Sequence, residues 1–180
     1  MSEFIYVDNS NIFIEGKRIA AVRQGLAKNA SHANKNDIVD HTFRLDFGEL
    51  YDFVADHNPE KVAQALLFGS SPPESDKVWE IAERVGFEAV VVSRNSANQE
   101  KKVDMGIVAA MVRDAYTRAD RKKDTITLVA GDSDYVPAVE LLTDDGFRVE
   151  VVFWSSASNE LKSVCSRFIE LDRYLEKLEY

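Results

Sequence analysis

The feature of this sequence that most restricts its fold is a series of five short apolar runs, separated mostly by amphipathic stretches. The runs are rich in β-branched and aromatic residues, as β-strands are. They cover residues 4–7, 65–68, 89–92, 126–130 and 149–153. Strands that alternate with helices form parallel sheets with helices on both faces. We therefore predict an α/β fold around a central, mostly parallel five-stranded sheet.

Three other stretches have the i, i+3, i+4, i+7 spacing of a helix that buries one face. Their apolar positions are Phe47, Leu50, Tyr51 and Val54; Val78, Ile81, Ala82 and Val85; and Leu161, Val164, Cys165 and Phe168. The third set predicts a closing helix that lies against the sheet.

A chain of 180 residues suits one domain, and we predict a single domain over residues 1–180. Residues 16–45 interrupt the alternation with a polar insertion that contains several asparagines and basic side chains. We expect part helix and part loop there. This segment is either a lid that contacts substrate or a solvated surface excursion.

The sequence contains no signal for export or membrane insertion. Its first residues lack a basic run and a long apolar stretch, so we expect a cytoplasmic protein without a membrane span. Cys165 is the only cysteine, which rules out an intramolecular disulfide and a thiolate zinc site.

Several aspartates fall where an open α/β sheet presents its binding crevice, beyond the carboxyl ends of strands. Asp8 ends the first run, and Asp132 and Asp134 follow the fourth. Asp104 lies in line with an apolar helical stripe formed by Ile107, Val108, Met111, Val112 and Ala115, so its carboxylate is expected to face the sheet. Two plainer interpretations are helix capping for the strand-end acids and pairing of Asp104 with a nearby lysine.

Four carboxylates brought together repel one another, and a cation or protonation must relieve that repulsion. Oxygen ligands favour Mg²⁺ or Mn²⁺, whereas zinc would favour histidine or cysteine. Such ions support phosphodiester hydrolysis by activating water and steadying the leaving oxygen. A nucleophilic serine elbow, a phosphate-binding P-loop and a paired Cys and His are all missing from the sequence.

Four motifs in this order resemble the NYN domains, which include the bacterial LabA-like proteins and are relatives of PIN-domain ribonucleases. The motifs are Val-Asp-Asn-Ser-Asn at 7–11, Gly-Ser at 69–70, Lys-Lys-Val-Asp at 101–104, and Gly-Asp-Ser-Asp-Tyr-Val-Pro at 131–137. The resemblance covers nearly the whole chain. It implies a PIN-like three-layer α/β/α sandwich and Mg²⁺- or Mn²⁺-dependent cleavage of RNA.

The resemblance also assigns roles to residues of this chain. It places the catalytic and metal-binding acids at Asp8, Asp104, Asp132 and Asp134. Asn11 corresponds to the polar partner of the first acid, and Lys101 to the lysine three residues before the helical acid. Ser70 and Arg94 follow the second and third runs at the same expected edge, where they suit a phosphate path.

The formal net charge of −9 opposes broad nucleic-acid binding, because phosphate contacts need Lys and Arg. Bound divalent ions would reverse that charge locally. We therefore expect single-stranded RNA held by its backbone through metal and a basic strip near Arg18, Arg23, Arg94 and Lys101. The alternatives are a non-catalytic module that binds RNA, a protein partner or a second copy of itself, and a phosphohydrolase for small phosphates.

Overall fold

The computed structural model describes residues 1–70, 77–92 and 99–180, without the side chains of residues 99–101. In these parts of the chain, six parallel strands form one sheet in the order β3-β2-β1-β4-β5-β6. They are β1 (Glu3–Asp8), β2 (Val62–Ser70), β3 (Glu88–Val92), β4 (Thr125–Val129), β5 (Arg148–Phe153) and β6 (Arg167–Glu170). The predicted parallel sheet is confirmed, but it has six strands and not five.

Helices cover both faces of this sheet, which gives the three layers expected from the sequence. The described helices are α1 (Asn9–Arg23), α2 (Ala30–Lys35), α3 (Phe47–Val54), α4 (Lys77–Val85), α5 (Gln99–Thr117), α6 (Val136–Asp144), α7 (Asn159–Val164) and α8 (Leu175–Leu178). Apolar side chains of α1, α3, α4 and α8 pack on one face. Those of α5, α6 and α7 pack on the other. The sheet is therefore buried on both sides, as its apolar strands require.

The sixth strand lies where a longer closing helix was predicted. Helix α7 ends at Val164 with Cys165 as its C-cap, and Phe168 instead pairs with Val151 in the parallel β5–β6 ladder. The prediction was wrong because β6 is only four residues long and half-exposed at the sheet edge. The apolar pattern of so short a strand is too brief to be distinguished from the continuation of a helix.

Helix α4 is rotated relative to its predicted packing stripe. Its buried residues are Trp79 and Ala82, whereas Ile81 is 46% exposed and Val78 is 37% exposed. The Trp79 ring packs against Gly69, where an added Cβ would lie 2.4 Å from the ring. The large indole determines which face is buried because it removes more apolar surface from water than Val or Ile does. The predicted face of α3 is confirmed, since Phe47, Leu50 and Val54 are buried.

Residues 16–45 are anchored in the core at both ends, whereas most side chains between Arg23 and Thr42 are exposed, so a solvated surface excursion describes only the middle of the segment. They comprise the second half of α1, helix α2 and a connecting segment. Ile19, Ala20, Phe43 and Leu45 belong to the buried cluster on the α1 face. Phe43 meets Trp154 edge-on, with ring centroids 6.4 Å apart. The polar composition conceals these widely spaced apolar anchors.

In the described ranges, no helix combines the length and the apolar character needed to cross a lipid bilayer.

Candidate functional site

The acidic site lies at the carboxyl edge of the sheet, beside its central strand. Strand order reverses at β1, because β2 and β3 lie to one side of it and β4, β5 and β6 to the other. Loops leaving adjacent strands on either side of such a reversal diverge and open a crevice. Asp8 is the last residue of β1, and Asp132 and Asp134 follow the end of the neighbouring β4. The topology therefore brings together acids more than a hundred residues apart in sequence.

Asp8 serves both as a helix cap and as a member of the acidic site. Its Oδ1 accepts hydrogen bonds from the Asn11 amide and the Ser10 hydroxyl, each at 3.1 Å, which caps α1. Its Oδ2 accepts from the Tyr135 hydroxyl at 2.9 Å. Asp8 is only 3% exposed, and this burial raises its pKa despite the hydrogen bonds, which act to lower it. Capping thus accounts for one carboxylate oxygen and leaves the other directed into the site.

Tyr135 connects Asp8 to Asp104. The buried phenol lies in the short 3-10 helix Ser133–Tyr135, and its oxygen is 3.0 Å from Asp104 Oδ1 as well as 2.9 Å from Asp8 Oδ2. Burial and the two carboxylates raise the pKa of Tyr135, so the phenol keeps its proton. A single phenolic proton is donated to one acceptor at a time. The two carboxyls therefore compete for it unless one of them is itself protonated.

Asp104 is half-buried in the second turn of α5. The stripe predicted from its position is present, with Ile107, Met111 and Ala115 buried. Burial raises the pKa of Asp104 to about 6, the Tyr135 hydrogen bond acts to lower it, and the charges of Asp8, Asp132 and Asp134 raise it further. No ion pair to Asp104 occurs among the side chains that the structure describes. The negative charges of all three other predicted acids therefore act on its carboxyl.

Asn11 links the start of α1 to the loop after β4. Its Nδ2 donates to Asp132 Oδ2 at 3.2 Å, and its Oδ1 accepts from the Gly131 amide at 2.8 Å. Asp132 precedes the 3-10 helix without capping it through its side chain, and Asp132 and Asp134 are both exposed. Glycine is needed at 131 because an added Cβ would lie 2.2 Å from the Phe153 ring. The first and last motifs are therefore directly bonded to each other.

The donor chemistry of this site fits a hard divalent cation, although its oxygens do not converge on one point. Throughout the described ranges, no group of three His, Cys, Asp or Glu side chains is arranged to hold a metal ion. Carboxylate oxygens are nevertheless the ligands that Mg²⁺ and Mn²⁺ prefer. The raised pKa of Asp104 also indicates negative charge that the local hydrogen bonds leave uncompensated. An ion would be held by oxygens of Asp8, Asp104, Asp132 and Asp134.

The predicted phosphate-contacting residues are only partly described. Ser70 ends β2 and is half-buried. Lys101 lies in the first turn of α5 with its side chain outside the described atoms, and Arg94 lies outside the described residues. Sequence reasoning missed Tyr135 as a site residue, although it stands next to Asp134 within a quoted motif. An aromatic residue at this position of the sequence indicates packing in the core. The only sequence signal for a polar contact is that the residue is a tyrosine and carries a hydroxyl.

The NYN domain profile matches residues 4–172 of this sequence. The chain belongs to the NYN domain family. NYN domains are part of the PIN-like superfamily, whose members are generally nucleases. The match includes all six strands described above apart from Glu3, the first residue of β1.

A comparison of structures supports the same fold. A crystal structure of a protein of unknown function from Vibrio parahaemolyticus is similar to this NYN domain, with a TM-score of 0.66 and 18% sequence identity. The similarity covers 99% of this chain and 96% of the other. At this identity the likeness concerns the fold alone. A search of curated proteins found no match.

Proposed function

We propose that this NYN domain is a cytoplasmic, metal-dependent ribonuclease that hydrolyses RNA phosphodiester bonds at Asp8, Asp104, Asp132 and Asp134. The observation that carries the proposal is the Tyr135 hydroxyl, which lies within hydrogen-bond distance of both Asp8 and Asp104. A charged cluster of this kind is costly in the folded protein unless a cation binds it or a carboxyl is protonated. Membership of a superfamily of nucleases is consistent with a catalytic use for that cation.

The side chains of this chain position the acids, and a bound Mg²⁺ or Mn²⁺ would supply the activated water and the stabilised leaving oxygen. Asp8 is fixed by its capping hydrogen bonds to Asn11 and Ser10. Asn11 holds Asp132 through its amide nitrogen. Asp134 remains exposed beside it, where it is accessible to solvent and to a phosphate carrying its own cation.

Metal is also the means by which an acidic protein would hold RNA. Two basic residues that we considered for an RNA-binding strip already have acidic partners. Arg18 pairs with Glu15 and Asp37, and Arg23 pairs with Glu179 at 2.5 Å. Their charges are therefore not free for phosphates. With a net charge of −9, RNA affinity is expected to depend on bound metal more than on these arginines.

The test combines a crystal grown with Mn²⁺ and a cleavage assay on single-stranded RNA. We expect anomalous density between the four acids, cleavage that EDTA abolishes, and loss of cleavage in Asp132→Asn. Asp52→Asn serves as the control, because Asp52 is exposed on α3. Anomalous density elsewhere, or cleavage that persists in both EDTA and Asp132→Asn, contradicts the proposal.

A second candidate function is a non-catalytic module that binds RNA, a partner protein or a second copy of this chain. One observation favours it. In the described part of the protein, no three acidic, histidine or cysteine side chains are arranged to hold an ion. This function predicts RNA binding that is unchanged in EDTA and in Asp132→Asn, without cleavage. The ribonuclease proposal predicts that both treatments reduce binding.

A further inference from the structure

The amino edge of the sheet carries polar side chains on a face that is otherwise apolar. Glu3 lies two residues before Ile5 in β1, and Thr125 and Thr127 lie four and two residues before Val129 in β4. Side chains at this spacing share one face of the sheet, and Ile5 and Val129 belong to the buried cluster on the α1 face. Glu150 of β5 occupies the same face, and it is the Cα partner of Thr127. Thr125, Thr127 and Glu150 are 2%, 3% and 9% exposed.

Central parallel strands buried on both faces are normally apolar throughout. Buried polar groups reduce stability unless their hydrogen bonds are satisfied. Thr125, Thr127 and Glu150 therefore suggest a role other than packing.

These side chains line a cavity of about 400 Å³. The opposite wall is mixed and comes from the end of α3, the turn after it and the segment that leads into α8. There Phe53 and Tyr174 meet edge-on, with ring centroids 4.8 Å apart, beside the polar side chains of Asp56, His57 and Lys177. The volume lies within the range of small-molecule sites, about 300–1,000 Å³. Glu3 and Asp8 lie at opposite ends of β1. The cavity is thus separate from the acidic site.

The two glutamates of this cavity differ in their ionic contacts. Arg148 donates to Glu150 from Nε at 3.0 Å and from Nη2 at 2.5 Å, and Arg167 lies 4.0 Å from the same carboxylate. Glu3 forms no ion pair with the described side chains and has the hydroxyls of Thr125 and Thr127 nearby, the latter 3.5 Å from its Oε2. Burial and the charge of Glu150 raise the pKa of Glu3 to about 7, although Arg148 acts to lower it.

We propose that this cavity is a second binding site, which takes a small organic cation with its ammonium or amidinium group on Glu3 and its apolar body against Phe53 and Tyr174. The cation supplies the positively charged partner that Glu3 lacks, and its N–H groups donate hydrogen bonds to the carboxylate. Aromatic rings favour such a ligand through contact with its apolar body and with positive charge. The proposal does not depend on nuclease activity.

Calorimetric titration of the full chain with three probes of similar shape tests the site. Benzamidinium carries the cation, benzyl alcohol is neutral, and benzoate carries the opposite charge. n-Pentylammonium tests the cation without an aromatic ring. The titrations are run near pH 8, about one unit above the pKa of Glu3, so that the carboxylate is ionised.

We expect benzamidinium to bind and benzoate not to bind. Because a hydrogen bond to a charged group is lost, Glu3→Gln should weaken benzamidinium about tenfold to a hundredfold. Glu88→Gln is the matched control, since Glu88 is exposed at the start of β3 and does not line the cavity. Thr127→Val, which removes the hydroxyl near Glu3, provides a second variant if Glu3→Gln fails to fold.

Three results would overturn the proposal. The first is that neither cation gives measurable heat of binding. The second is that benzoate binds as tightly as benzamidinium, which would assign the cavity to anions at Arg148 and Arg167. The third is that benzamidinium binds equally to the wild type, Glu3→Gln and Thr127→Val, which would place its binding site elsewhere on the protein.

Discussion

The hydroxyl of Tyr135 is the smallest feature on which the acidic site depends. It contacts Asp8 and Asp104, which come from β1 and α5 on different sides of the crevice. A phenylalanine at 135 would preserve the ring in the core and remove only this link. The contribution of the hydroxyl can therefore be measured separately from that of the ring.

We predict that Tyr135→Phe lowers the free energy of unfolding of the metal-free protein by about 1–3 kcal/mol, because the buried Asp8 carboxyl and the half-buried Asp104 carboxyl lose the one donor that they share. Urea unfolding monitored by circular dichroism measures this change. Tyr116→Phe is the matched control, since it removes an exposed hydroxyl that bonds to Asp145. Equal losses in the two variants would show that the buried bridge contributes no more than a surface hydrogen bond.

Asp104→Asn should have the opposite effect on stability. The pKa of Asp104 in the folded protein is raised to about 6, so ionisation destabilises the fold, and the wild type loses stability as pH rises from about 4 to 6. After allowance for solvent screening, we expect Asp104→Asn to be about 1 kcal/mol more stable than the wild type near pH 8. This gain should disappear near pH 4.

If Mn²⁺ binds the four acids as we propose, it should raise the melting temperature of the wild type, and the same variant should lose this increase. Thermal unfolding with and without Mn²⁺ checks this, with Asp52→Asn as the exposed control. Marked destabilisation of metal-free Asp104→Asn near pH 8 would instead assign Asp104 a structural role.

At this scale the sequence identified the acids but not their connections. Asp8 and Asp132 could be placed because the ends of adjacent parallel strands meet at one edge. Asp104 could be placed from its alignment with Ile107 and Met111. Tyr135 could not, because an aromatic residue before a helix is normally core, and the direction of its hydroxyl depends on packing across three elements.

Among the elements, the stretch from Gly16 to Leu45 shows how a polar segment can be structural. Phe43 is fully buried and fills the space beside Gly16, where an added Cβ would lie 2.7 Å from its ring. The segment is therefore anchored to α1 by a close helix–ring contact.

We predict that Phe43→Ala costs about 3–5 kcal/mol of stability, as expected for an aromatic truncation in a core. Leu26→Ala in the same segment is the control and should change stability by less than about 0.5 kcal/mol, since Leu26 is 56% exposed. Urea unfolding of the two variants gives the comparison. A small loss for Phe43→Ala would mean that the segment can detach without affecting the rest of the fold.

Periodicity predicted most elements, whatever their length. The five predicted strands and the inward face of α3 followed from apolar spacing. It failed for β6, whose four residues at the sheet edge show little burial, and for α4. There, one large side chain, Trp79, outweighed Val78 and Ile81. The size of a side chain is not represented in a pattern of apolar positions.

For the molecule as a whole, we predict that stability is greatest near pH 4 and falls towards neutrality. Raised pKa values of about 7 for Glu3 and about 6 for Asp104 mean that the folded state binds more protons than the unfolded state between about pH 4 and 7. Stability therefore declines across that interval. This maximum lies below the usual range, about pH 5–8.

At lower pH the sign reverses. Hydrogen bonds from Thr42 lower the pKa of Asp40. Burial acts to raise the pKa of Asp114, but hydrogen bonds from Arg113 and Tyr6 outweigh it and lower that pKa. The stability from these acids is lost as pH falls through their lowered pKa values. Urea midpoints from about pH 3 to 8 test the profile, and a Glu3→Gln/Asp104→Asn double variant should flatten its neutral limb. A maximum above pH 7 in the wild type would contradict the prediction.

The central place of β1 has a consequence for biosynthesis. Strand β1 leaves the ribosome before both of its neighbours and must wait for them, since its partners β2 and β4 begin at Val62 and Thr125. Pairings over such long sequence distances form late and slowly. The bond from Tyr135 to Asp8 spans 127 positions. A nascent domain therefore cannot assemble the acidic site until most of it has been synthesised. If the site cuts RNA as we propose, it would stay incomplete while the chain is still beside its own messenger RNA.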